Sequence, residues 1–505
     1  MVEMSEQKSQ DKQKNTKQIT FTIPKVPFDI KRAFFILLGL SIFFAVYFMP
    51  PWKDAIDPTG KAFSLSKEGK AAIGLFLMAG IWWVFEVVPI GITAIAIGVF
   101  QALFAIRPAK EAFRDFMDPS VMFIFGSVVV GAAFTKSGLT KRLAYKMLGL
   151  VGEKTSMIML GCFIITATLT HFMAHTAAAA TIFPLLLAIY ALYGKTDHPT
   201  NFGKALFIGM AYVAGAGSIV TFLGAARGPA AAGMFKEFTG RDIGFFELTK
   251  YMFLLGWIMV FIIWGYMMIF LKPEKKTIPG LKEKVQRLTK EIGPMTLNEK
   301  FVIATVLAVV SVMSLQAFIP ALKPLDRAAI MLTSTLLFFI FKILTVKDLE
   351  EIPWNIILLF SGAMSIGFCL WKTGAAQWMA INWLMLFKEA HWLVFVISIA
   401  TFVLLMTNFI MNVAAISISL PVSLVVAQYL GVAPDVIFYS SLVTAGMPFL
   451  LLIGAAPNAI AYESKQFTTG EFFKHGIPIS IILIIVLGIF LVTIWPLLGM
   501  PILIK

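Results

Sequence analysis

Few residues in this 505-residue chain can do chemistry away from water, and they fall in four short segments. One is Ala174-His175-Thr176, followed by Ala177 to Ala180. A second is Met411-Asn412-Val413, followed by Ala414 and Ala415. Each is a polar break in a long apolar stretch that opens a run of small residues, the pattern of a helix start. A helix start directs its free N–H groups and the positive end of its dipole at the break. Two such starts converging from opposite leaflets would cradle an anion. The other two segments are Gly224-Ala225-Ala226-Arg227-Gly228-Pro229 and Gly454-Ala455-Ala456-Pro457-Asn458. Arg227 is the one charge in residues 205–235, and the Gly and Pro around it read as a broken helix lining a cavity. An arginine at depth needs a partner. No acid lies in that run, so a bound anion is the expected partner, against the plainer reading of a side chain snorkelling to an interface.

His171 and His175 stand at i, i+4, a spacing that can present two imidazoles to a metal from one helix face. There is no Glu between them and no acid in residues 155–193, so neither a metalloprotease-like site nor any metal or cofactor is expected. The same absence argues against a membrane-embedded enzyme, which needs a general acid, base or metal. A channel would give no reason for paired hairpins bearing unmatched cations. His198, His391 and His475 read as interface residues. Cys162 and Cys369 lie far apart in apolar segments, which excludes a disulfide framework.

The elements that must position these residues are set by composition. Apolar residues make up 59% of the chain and charged ones 14%, with a mean hydropathy of +0.85. Soluble proteins carry about a quarter charged residues. Uncharged runs near 20 residues recur throughout, each long enough to cross a hydrocarbon core of about 30 Å as a helix. The expected fold is an all-α polytopic membrane protein. Spans are expected at about 33–50, 70–88, 90–106, 119–135, 204–235, 250–271, 299–319, 326–345, 354–371, 436–462 and 477–499. Charge-free stretches at 155–193 and 392–434 are each too long for one crossing and must double back, as two crossings or as re-entrant hairpins, the second being the expectation. The formal charge of +14 sits largely in the leader 1–32 and the stretch 272–300, which marks both as cytoplasmic and anionic lipid, not nucleic acid, as the partner. An odd number of crossings then puts the C-terminus outside. The first apolar run reads as a retained span, not a signal peptide.

The two halves repeat. Lys136-Ser137-Gly138 matches Lys372-Thr373-Gly374 at a separation of 236; Thr170 and His175 match Thr407 and Asn412 at 237; Gly224-Ala225-Ala226 matches Gly454-Ala455-Ala456 at 230. Matching elements are five spans apart, so the second copy is inverted, as in secondary transporters whose site lies between the copies. The expected organisation is a leader at 1–32, a first helix and connection at 33–69, a first repeat at 70–271, a basic linker at 272–298 and a second repeat at 299–499.

Trp82-Trp83, Glu86 and Pro89 resemble the Trp-Trp-x-x-Glu-x-x-Pro signature of the divalent anion/sodium symporters, which carry di- and tricarboxylates. The order of spans and hairpins over residues 70–499 is similar to that family's. The resemblance implies a homodimer with a scaffold domain and a transport domain that moves like an elevator, in a bacterial inner membrane. It also implies that the tips Ala174, His175, Thr176 and Met411, Asn412, Val413 stand where the family has Ser-Asn-Thr. Arg227 and Ala455, Pro457, Asn458 stand in its paired Gly-Thr-Pro-Pro-Asn-like loops. These residues would then hold substrate carboxylates, with Thr170 and Thr407 as remaining cation ligands.

The departures point the other way on coupling. Both tip serines are gone and the loop threonines are Ala225 and Ala455, while His175 and Arg227 bring basic side chains. Sodium needs hard oxygens; a fixed cation could compensate a dianion in its place. The expectation is sodium-independent exchange of C4/C5 dicarboxylates of the 2-oxoglutarate, malate, succinate and fumarate type, with citrate and tartrate as further candidates. The alternative is a sodium-coupled dicarboxylate symporter.

Overall fold

The computed structural model describes residues 30–56, 61–85, 87–194, 199–384, 391–409 and 412–504. Met411, Glu86, His198 and most of the basic leader lie outside the described residues. After α1 (Ile30–Phe48), a two-residue antiparallel strand pair, Ala55–Ile56 with Ala62–Phe63, leads to α2 (Lys67–Val84) and α3 (Ile90–Leu103). The short α4 (Ala109–Arg114) precedes α5 (Pro119–Ser137) and α6 (Leu139–Val151). The first hairpin is α7 (Thr155–Thr170) and α8 (His175–Tyr193). A helix broken at its middle follows, α9 (Asn201–Gly217) and α10 (Arg227–Thr239), then α11 (Phe245–Phe270).

The basic linker forms α12 (Leu281–Ile292). The second half begins with α13 (Leu297–Leu315), α14 (Arg327–Ile340), α15 (Val346–Glu350), α16 (Trp354–Lys372) and α17 (Ala375–Leu384). Its hairpin is α18 (Trp392–Phe409) and α19 (Asn412–Tyr429), and its broken helix is α20 (Pro434–Ala445) and α21 (Ala456–Tyr462). Last comes α22 (Thr469–Ile489), prolonged by a π turn at Phe490–Ile494. Among the described residues nine helices are long and apolar enough to cross a membrane. The remaining crossings expected from sequence fall on shorter helices and on the two broken pairs.

The repeat recurs in three dimensions. Gly138 and Gly374 both take left-handed backbone, φ +84° and +74°, just past α5 and α16. Such a conformation suits glycine and stops a helix. The last helix starts eight residues before the expected 477 because Thr468 and Glu471 cap each other's backbone, which gives charged Glu471 and Lys474 a place in its first turns.

Two sets of helices can be told apart, and they meet where α19 packs on α16 and α10 on α5 and α16. α3 lies along α16 and α5 along α14, while the hairpins pack against the broken helices, α8 on α21 and α19 on α10. The base of the first hairpin is strapped by residues 272–280. Glu274 accepts hydrogen bonds from the Tyr193 hydroxyl at 2.9 Å and the Asn201 amide at 2.6 Å, and Thr155 donates to the Lys275 carbonyl at 2.7 Å. At the second hairpin Ala433 N donates to Ile502 O at 2.9 Å. Arg142 on α6 grips α13 by donating to both Glu299 carboxylate oxygens, 2.7 and 3.0 Å, and to the Gly293 and Pro294 carbonyls.

Candidate functional site

Both hairpins turn where the sequence breaks. α8 starts at His175 and α19 at Asn412, while α10 starts at Arg227 and α21 at Ala456. Four helix starts and the ends of α7, α9, α18 and α20 therefore belong to one cluster. The first tip is tied to the first loop: His175 donates its backbone N–H to the Gly224 carbonyl at 2.9 Å, and its Nδ1 lies 3.2 Å from the same oxygen. His171 Nδ1 lies 3.1 Å from the Gly217 carbonyl, and Thr221 donates to the His171 carbonyl at 2.8 Å. The helix ends at Thr170 and resumes at His175, so the two imidazoles do not share a helix face. Each ring is committed through Nδ1 to a carbonyl, His171 to the last of α9 and His175 to one in the loop.

The second tip is built differently. Thr407 Oγ1 lies 3.1 Å from both the Asn412 Oδ1 and the Ala445 carbonyl, the last of α20. Asn408 Oδ1 accepts from the Leu450 and Leu451 amides at 2.8 and 3.1 Å. Asn458 Nδ2 donates to the Pro448 and Leu451 carbonyls at 2.9 and 3.1 Å, so this predicted substrate residue spends its donor on the loop itself. Thr170 also points inward on its own chain, donating to the Ala167 carbonyl at 2.7 Å.

Glycine makes these approaches possible. A Cβ on Gly224 would sit 2.6 Å from the Thr170 carbonyl, and one on Gly454 would sit 3.1 Å from the Thr407 carbonyl. The repeat thus extends to main-chain contact between tip and loop. The two broken helices cross at their carbonyl ends, where a Cβ on Gly215 would meet the Gly446 carbonyl at 2.9 Å.

Arg227 lies at this crossing, 1% exposed. Its Nη2 donates to Ser218 Oγ at 2.6 Å and would be 2.8 Å from a Cβ on Gly446. Ser218 and Gly446 cap the C-terminal ends of α9 and α20, which carry negative partial charge. The guanidinium therefore has a counter-field within the protein, which sequence reasoning did not supply. Its Nε and Nη1 are buried with no partner among the described residues.

The cluster is lopsided in exposure. His175 and Thr176 are half-buried and Ile453, beside Gly454 and Ala455, is 62% exposed. Asn412, Val413 and residues 218–225 are buried. Ser218 and Asn408 were missed from sequence. Asn408 had a signal, since it stands 237 residues after His171, the offset shared by Thr170 and Thr407. Ser218 had none beyond its place at the end of a half-helix. The signature tryptophans lie away from this cluster: Trp83 donates to the Ile90 carbonyl at 3.3 Å.

Residues 37–501 match the family model described as the sodium:sulfate symporter transmembrane region. The chain is similar to the sodium-dependent dicarboxylate transporter SdcS of Staphylococcus saprophyticus, 24% identical over 467 residues, 87% of this chain and 89% of that one. It is 24% identical to SdcS of Staphylococcus aureus over 500 residues, 93% and 92% of the two chains. Among solved structures it resembles MtrF of Neisseria gonorrhoeae, described as an antimetabolite efflux pump (TM-score 0.56, 14% identity, 91% and 93% covered). It also resembles the YdaH transporter of Alcanivorax borkumensis (TM-score 0.55, 12% identity, 93% and 98% covered). These two likenesses concern the fold alone.

Proposed function

The chain belongs to the sodium:sulfate symporter family, and from that premise we propose that it is a secondary transporter of C4 and C5 dicarboxylates coupled to sodium. The curated relatives, named sodium-dependent dicarboxylate transporters, support this coupling over sodium-independent exchange. The observation that carries the reading is the cluster itself, where four helix starts, which favour an anion, and four helix ends, which favour a cation, come together without a single acid among the described residues there. Thr176 and Asn412 are the tip side chains that hydrogen-bond a carboxylate. His175 donates or accepts through its free Nε2, and Arg227 supplies a buried positive charge. Ala174, Val413, Ala455 and Pro457 shape the pocket and leave backbone near the substrate, while Asn458 holds the loop.

In this reading sodium binds in the second repeat. Thr407 Oγ1, Asn412 Oδ1 and the Ala445 carbonyl are three hard oxygens about a helix end, donors of the type an alkali cation takes and half of a usual set. The protein works as a homodimer in which hairpins and broken helices move against the α3–α16 and α5–α14 pairs, with residues 272–298 in the cytoplasm.

One observation favours a second reading, exchange without sodium. In the first repeat the helix-end position is filled by the Arg227 guanidinium, a cation that cannot leave. Carrying a central arginine across costs at most about 2.5–3.5 kcal/mol on insertion scales, before the helix ends offset part of it, and at that limit roughly a hundredfold fewer empty carriers cross. Proteoliposome uptake separates the two. Uptake of succinate into empty vesicles driven by an inward sodium gradient upholds symport. Uptake that ignores sodium and appears only after preloading with dicarboxylate upholds exchange and rejects the first reading.

A further inference from the structure

On the face opposite the basic linker, a cavity of about 450 Å³ lies between α5, α10 and the start of α14. The topology fixes the face: α11 runs its 26 residues back from the turn at 240–244 to the linker, and α13 runs from the linker toward Arg327. The floor of the cavity is Phe222, a buried member of the first broken-helix loop, five residues before Arg227. Beyond that floor lies the cluster described above.

Arg327, the first residue of α14, reaches over this cavity to the other set of helices. Its guanidinium donates to the Asp242 carboxylate and the Ile243 carbonyl, and it stacks on Phe222 at 5.0 Å from the ring centroid. At the end of α16, Lys372 pairs with Glu237 on α10. Both ion pairs join a helix of the α3–α16 and α5–α14 group to α10 or its turn. Between them α10 rides close: a Cβ on Gly233 would meet Ser120 Oγ at 2.4 Å and Met364 at 2.8 Å. The side chains that close this face hold across the surface along which any relative movement must occur. Elsewhere in the cluster the first tip is half-buried and Ile453 is exposed.

We propose that Arg327 and Lys372 form a latch that keeps this face shut, with Phe222 as the plug and Arg327 as the residue that pins it. Opening the site toward this face breaks Arg327–Asp242 and Lys372–Glu237 and frees Phe222. The latch rests on the transport reading only in that the two helix groups move. It assigns no role to any dicarboxylate, so its test needs none.

The test uses the full-length protein carrying Ala225→Cys, which places a buried thiol in the loop behind Phe222. Native Cys162 and Cys369 are buried and give little background. The rate of modification by a membrane-impermeant maleimide is measured in vesicles of each orientation. With the latch intact, labelling is slow from the face opposite the linker. Arg327→Ala removes one charge-assisted contact network and is expected to speed it by about tenfold. Lys372→Glu is expected to speed it less, and Glu237→Lys added to Lys372→Glu is expected to return it toward the slow rate. This exchanged pair keeps the question open to an answer even where Arg327→Ala fails to fold. Labelling at the parental rate in Arg327→Ala and Lys372→Glu, or no recovery in the exchanged pair, would overturn the latch. Absence of dicarboxylate transport alongside the expected labelling would instead count against the substrate and leave the latch standing.

Discussion

Replacing Thr407 with Val tests the cation position with the smallest change of shape. The Thr407 side chain is buried, and its hydroxyl lies 3.1 Å from two oxygens, Asn412 Oδ1 and Ala445 O. With sodium bound as proposed, that hydroxyl oxygen would offer a lone pair to the ion, while a valine methyl in the same place offers none. Losing one buried polar partner costs about 1–3 kcal/mol. At about 1.4 kcal/mol per decade, the sodium concentration for half-maximal uptake is expected to rise roughly five- to 150-fold. Thr407→Ser keeps the oxygen and is expected to stay within a few-fold of the parent. The assay is sodium-titrated uptake of labelled succinate in proteoliposomes, with choline holding ionic strength constant. A Val variant with the parental sodium dependence would refute the assignment of these three oxygens.

Arg227→Ala is expected to abolish dicarboxylate transport in a folded protein. Ser218→Ala, which removes the hydroxyl that accepts from Arg227, is expected to raise KM several-fold with kcat less affected; parental kinetics in both would return Arg227 to a structural role. Thr176→Val and Asn412→Ala are each expected to weaken transport of every dicarboxylate tested, read as KM across succinate, malate and fumarate. Unchanged KM in both would take the tips out of the site.

The features legible in the sequence were those carried by a break in a pattern. Gly224 and Gly454 announced two broken helices, and the structure breaks between Gly217 and Arg227 and between Ala445 and Ala456. The tips at His175 and Asn412 fell where a helix restarts, because a polar residue followed by small ones can begin a helix inside an apolar run. Helix ends set by capping were less legible. Thr468 and Glu471 draw charged residues into α22 that hydropathy alone leaves outside. The surface helices α6 and α12 escaped for a similar reason, being too charged to read as spans. Contacts between distant segments were not legible at all. Nothing in the residues around Arg227 shows that the end of α20, more than 200 residues later, comes against its guanidinium. The anion expected as its partner followed from looking for an acid nearby, when helix ends also carry negative charge.

The strap at residues 272–280 imposes an order of assembly during synthesis. Tyr193 leaves the ribosome roughly 80 residues before Lys272, an interval of about 4–16 s at 5–20 residues per second. For that time the first hairpin has its tip residues but not the Glu274 and Lys275 contacts that close its base. Newly made chains therefore hold an unclosed hairpin until α11 has been threaded back, which makes α11 a timing element as well as a wall of the molecule. Ribosome-stalled chains ending at residue 250 should expose a cysteine placed at Thr155 that chains ending beyond residue 330 protect. Equal protection at both lengths would mean that the hairpin closes without its strap, and that these contacts are made after the decisive step.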